Sequence, residues 1–119
     1  MGSVQAANDF DSTLVQVIYE TVEYCLGEVN ARVICSYLEE RGLPLNKVSS
    51  KPELFSEELR KILGFGSRQI LCAASILEET ILEVLCKKLE IPFDCEKPVN
   101  FPLQIRKLRE TYINGGMRR

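Results

Sequence analysis

From Leu14 the inward-facing positions of the chain recur in steps of three and four: Leu14, Val17, Ile18, Thr21, Val22, Cys25 and Leu26. That spacing lays one apolar stripe along an α-helix, and Asp11 or Ser12 supplies an oxygen to cap its first turn. The first nine residues are polar or small, and residues 1–10 read as a flexible N-terminal tail. Gly27 breaks the stripe near Glu28, and a second helix to Arg41 turns Val33, Ile34, Tyr37 and Leu38 inward. Gly42 suits the left-handed position that closes a helix, and Pro44 prevents its resumption.

Residues 45–49 form a connector with Val48 tucked inward. Ser50-Lys51-Pro52-Glu53 has the form of a capping box, with proline in the first turn, where a missing N–H costs little. The helix that follows buries Phe55, Leu59, Ile62 and Leu63, stops at Gly64, and sets Glu57 and Lys61 four apart on its outer face. The longest periodic segment runs from Ser67 to Leu89. Ile70, Ala74, Leu77, Ile81 and Val84 make its stripe, and Leu71, Leu82, Leu85 and Leu89 widen it well past 100°. A helix so broadly apolar needs neighbours on several sides, which marks it as the centre. Pro92 ends it, and the last helix, capped by Asn100, points Phe101, Ile105, Leu108 and Tyr112 inward before Asn114-Gly115-Gly116. No strand pattern competes. The expected fold is all-α: a compact single-domain bundle of about five helices around one long central helix. It divides into the tail 1–10, a helical core 11–96 and a basic C-terminal helical extension 97–119.

At 119 residues, 45% hydrophobic and 27% charged, the chain is one ordinary globular domain. The absence of histidine removes Ser-His and Cys-His nucleophiles, His-containing zinc sites and phosphohistidine relays. Cysteines at 25, 35, 72, 86 and 95 contain no C-x-x-C pair, so zinc and redox motifs are not expected. On one helix Cys72 and Cys86 stand about 21 Å apart, beyond disulfide reach. Cys25, Cys35, Cys72 and Cys86 read as small core residues in a reducing compartment. Cys95, between Asp94 and Glu96, is disfavoured as a thiolate. With no run of 18 apolar residues and no apolar signal core, the expectation is a cytoplasmic protein without a membrane span.

Three constellations invite chemistry. Gly64-Phe65-Gly66-Ser67-Arg68 opens a helix like an anion site, yet has no preceding strand and no Lys-Ser/Thr; a tight corner explains both glycines. The same two helices resemble a helix-turn-helix, but a recognition helix presenting Glu78, Glu79 and Glu83 repels every phosphate. Those glutamates lack the Glu-x-x-His partners of a helical metal site. Neither catalytic residues, metal ligands nor a cofactor are therefore expected.

Charge is distributed unevenly. Residues 1–96 hold 9 basic and 16 acidic side chains, whereas residues 97–119 hold 6 basic and 1 acidic. Lys97, Arg106, Lys107, Arg109, Arg118 and Arg119 are thus the candidate contacts for an anion or nucleic acid. Because an amphipathic stripe runs through the same segment, docking of that helix onto the acidic body of its own chain is the favoured expectation.

The segments Tyr37-Leu38-Glu39-Glu40-Arg41-Gly42-Leu43, Val48-x-x-Lys51-Pro52-Glu53-Leu54-Phe55 and Leu59-x-x-Ile62-Leu63-Gly64-x-Gly66 resemble the archaeal helical family called the nitrosopumilus output domain. The likeness covers roughly residues 20–92. It implies an all-helical fold, an archaeal cytoplasmic setting and a role downstream of signalling, with no catalytic residues to carry over. The basic extension and the five cysteines depart from the family pattern. The functional expectation is a non-enzymatic protein-interaction or signal-output module, as monomer or homodimer, with a protein partner held in an apolar groove. Nucleic-acid binding through residues 97–119 is the alternative, and an apolar small-molecule ligand a third.

Overall fold

A computed structural model describes residues 2–63, 68–92 and 100–115, with side chains over 8–63, 74–92 and 100–114. Five α-helices follow one another: α1 Gly2–Leu26, α2 Glu28–Glu40, α3 Pro52–Leu63, α4 Arg68–Leu89 and α5 Phe101–Gly115. A 3-10 turn, Leu45–Lys47, links α2 to α3. No strand occurs among the described residues. The radius of gyration is 14.1 Å, against about 13.5 Å for a compact domain of this length.

α1 packs on α2, α4, α5 and the 3-10 turn, while α4 packs on α1, α3 and α5. The centre is therefore shared by two long helices. The all-α single-domain bundle expected from the periodicity is present, with α1 at 25 residues beside α4 at 22. The extra length lies at the N-terminus, where helix begins at Gly2 instead of at a cap near Asp11. No proline or glycine interrupts Ser3–Leu26, and Phe10 anchors the added turns at full burial. Its ring lies 6.2 Å from that of Tyr112 on α5.

The joints follow from glycine and capping chemistry. Gly27 alone separates α1 from α2, at φ 94°, a backbone conformation that L side chains rarely adopt. At the end of α2, Leu43 N–H donates to Leu38 O at 2.8 Å and Gly42 N–H to Glu39 O at 3.0 Å. These are the two bonds of a Schellman closure, with Gly42 at φ 79° and Leu43 buried behind it. α4 closes in the same way through Ile91 N–H to Cys86 O and Glu90 N–H to Lys87 O, but there Glu90 occupies the positive-φ position at 59°. Asn100 caps α5, its Oδ1 accepting from Leu103 N–H at 3.1 Å.

The capping box expected at α3 does not form. Helix begins at Pro52, so Lys51, whose carbonyl accepts from Phe55 N–H, is the cap residue. Ser50 lies one position too early for the box, and Glu53 turns instead to Arg106.

Among the described residues the core is aliphatic with three buried phenylalanines, Phe10, Phe55 and Phe101. Phe55 of α3 and Phe101 of α5 meet at 5.3 Å between centroids, and Ile105 and Leu108 continue the buried stripe of α5. α5 is therefore seated on α1, α3 and α4. α2 contributes Ala31, Ile34 and Leu38, a line at i, i+3 and i+7. Val33, expected inside, flanks that line and is 53% exposed.

Candidate functional site

Of the six basic candidates, Lys97, Arg118 and Arg119 lie outside the described residues. The other three are on α5. Both terminal nitrogens of Arg106 are held by the Glu53 carboxylate, Nη2 at 2.7 Å from Oε1. Arg109 donates through Nε to Asp11 Oδ1 at 3.4 Å. Lys107 is exposed and makes no ion pair among the described residues. The basic helix thus faces acidic residues of its own chain on two sides, and only Lys107 of these three is unopposed.

Two buried carboxylates were not anticipated. Glu58 of α3 is 5% exposed and accepts from the Tyr37 hydroxyl at 2.8 Å. Lys61 stands 3.5 Å and Arg41 3.8 Å away, and the Arg41 guanidinium also lies 5.2 Å from the Tyr37 ring centroid. The Tyr37 hydrogen bond, aided by Lys61 and Arg41, holds the Glu58 carboxyl below its ordinary range although burial pushes the other way. Glu78 of α4, expected on a solvated face, is 1% exposed. Its Oε2 receives Arg60 Nη1 at 2.9 Å, and its Oε1 is buried without a hydrogen-bond partner. Arg60 also reaches Ser56 and Ser75. Each carboxylate ties α3 to a neighbouring helix. The signal was in the register: Glu58 lies three after Phe55, and Glu78 lies between Ala74 and Leu82 on the α4 stripe.

Glu79 is half-buried and Glu83 exposed. Among the described residues no three His, Cys, Asp or Glu side chains are grouped to hold a metal ion. The Gly64–Ser67 corner lies outside the described residues, as do Cys95 and the side chains of Arg68 and Cys72. Of the remaining cysteines, Cys86 is buried, Cys35 half-buried and Cys25 exposed. Burial, with Glu39 nearby, pushes the Cys35 thiol up.

Two surface features remain. At the α1–α2 elbow Tyr24 is 91%, Val29 74% and Val33 53% exposed. Val29 and Val33 are four apart and share one face of α2; Cys25 is exposed beside them in sequence. The second feature is an open groove of about 620 Å³ between the turn before α3 and the outer side of α5. Ser49 and Ser50 form one wall; Arg106, Arg109, Glu110, Ile113 and Asn114 form the other. Ser49 is 8% exposed, and its buried Oγ has no hydrogen-bond partner.

No helix among the described residues is long and apolar enough to cross a membrane. No family model, no curated protein and no solved structure matches this chain.

Proposed function

We propose that the chain is a non-enzymatic, cytoplasmic protein-interaction or signal-output module, working as a monomer or homodimer. The observation that carries this reading is the apolar elbow, where Tyr24, Val29 and Val33 face solvent. A cluster of exposed apolar side chains on a small domain marks a contact surface, and an aromatic anchor beside branched aliphatics is the composition that interface centres favour. The non-enzymatic part rests on the missing histidine and on Glu58 and Glu78, whose cationic partners hold helices together. The family assignment belongs to the same proposal and rests on Pro52-Glu53-Leu54-Phe55 and the glycine-bounded helix after it.

The nucleic-acid alternative has less support, because Arg106 and Arg109 already face Glu53 and Asp11. The test is affinity capture of the tagged protein from its native lysate after nuclease treatment in moderate salt, beside the double variant Val29→Asp, Val33→Asp. A partner retained by the parent and lost by a double variant of unchanged circular dichroism supports the elbow. Identical captures by both proteins, or release of everything by nuclease, count against it.

A further inference from the structure

The groove between the turn before α3 and α5 is bordered by Arg106, Arg109 and Glu110, of which Arg109 and Glu110 do not neutralise each other. Arg109 uses only Nε on Asp11. Its two terminal nitrogens hold no hydrogen bond among the described residues, and they form the planar fork that matches a carboxylate. Glu110, the next residue on α5, is exposed and makes no ion pair or hydrogen bond among the described residues. Adjacent residues on a helix do not face one another, so this pair does not close on itself. Arg106, by contrast, is fully engaged by Glu53.

The polar lining continues this pattern. Ser49, more than nine-tenths buried in the groove wall, has a hydroxyl without a partner, a condition that a native fold rarely tolerates without reason. Ser50 and Asn114 add an uncommitted hydroxyl and amide at the rim, and Ile113 adds the apolar element. The volume of about 620 Å³ is within the range of small-molecule sites, and their makeup, a few convergent polar groups beside apolar surface, is that found here.

Charge selects the ligand class. Arg106 and Arg109 are outweighed by Glu53, Asp11 and Glu110, so a bare dianion meets net repulsion. A zwitterion adds no net charge and answers both uncommitted groups. We propose that this groove binds a small zwitterion of the amino-acid type, its carboxylate on the Arg109 fork and its ammonium on Glu110, with Ser50 and Asn114 bonding to the carboxylate end.

The test is an amide NMR titration of the whole chain with single L-amino acids, with sodium acetate, methylammonium and inorganic phosphate as comparators. The expected result is saturable shifts at Ser49, Ser50 and residues 109–114 with at least one amino acid, about tenfold tighter than with any comparator. Glu110→Gln, an exposed change that leaves the Asp11 contact intact, weakens binding about tenfold, Arg109→Gln does the same, and Lys107→Gln leaves it unchanged. The proposal is overturned if no amino acid gives saturable shifts there. It is overturned equally if acetate or phosphate binds as tightly as the zwitterion, or if Glu110→Gln binds as the parent does.

Discussion

Replacing Phe101 by alanine and, separately, Arg106 by glutamine distinguishes the two ways in which α5 is held to the body. Phe101 is 1% exposed and stacks on Phe55. A buried aromatic ring removes about 150–250 Å² from water, worth roughly 4–6 kcal/mol at 25 cal/mol per Å² as an upper bound. Large-to-small changes of this kind cost about 3–5 kcal/mol in practice. The Arg106–Glu53 pair is 52% and 57% exposed at its two side chains, and such pairs contribute about 0–1 kcal/mol. Urea titration at low and high salt reads both. Phe101→Ala moves the midpoint far down and is insensitive to salt. Arg106→Gln moves it little, and the difference vanishes near ~1 M salt, where the screening length is short. A typical domain has about 5–15 kcal/mol of stability, so Phe101→Ala leaves the protein near its unfolding threshold. If Arg106→Gln costs as much as Phe101→Ala, or Phe101→Ala costs under about 1 kcal/mol, the apolar stripe does not seat α5 and this packing account fails.

Three further outcomes are expected. Glu90→Gly raises stability by roughly 0.5–1 kcal/mol, because Glu90 bears a left-handed conformation that glycine adopts freely, while Gly42→Ala loses about 1 kcal/mol for the converse reason; thermal melts of both variants check this. The Glu58 carboxyl has a folded pKa below its unfolded one, so its stabilisation is complete above the ordinary glutamate value of about 4.3 and is lost as pH falls through that range toward the folded value. Urea midpoints taken down the acid range should therefore fall less steeply in Glu58→Gln than in the parent, and equal slopes refute the assignment. Under brief native alkylation mapped by mass spectrometry, exposed Cys25 should be modified before half-buried Cys35, whose thiol is pushed up, and buried Cys86 only after unfolding; early labelling of Cys86 contradicts its placement.

Much of this architecture was legible because backbone chemistry writes it into single residues. Gly27, Gly42, Pro52 and Asn100 each stand where the structure uses them, as elbow, closure, first turn and cap. Periodicity placed Leu14, Ile18, Phe55, Leu59, Ile81 and Ile105 correctly inside. It failed where a residue's type and its position disagreed. Phe10 lies between Asp9 and Asp11, which gave its segment a polar look and hid the early start of α1. Glu58 and Glu78 lie on buried lines, yet a carboxylate reads as outside until its partner on another helix is known, and Tyr37 or Arg60 cannot be assigned to them from spacing alone. Val33 and Cys25 failed in the opposite sense: both are apolar in type, yet both are exposed at the elbow that carries them. The groove was only half visible. Arg106 and Arg109 were singled out for their charge, whereas Ser49, Ser50, Glu110 and Asn114 join them only once α5 lies against the turn before α3.

The seating of α5 against α1 has a consequence for how the protein is made. Phe10 and its aromatic neighbour Tyr112 are made about a hundred residues apart. Until Phe101, Ile105 and Leu108 have left the ribosome, α1, α3 and α4 each carry a strip of core with nothing to cover it. A nascent chain that has not yet reached α5 is therefore an intermediate with adhesive apolar surface. A cell that makes this protein in quantity has to shield that intermediate, so its yield on expression should depend more on chaperone supply than on the stability of the finished fold.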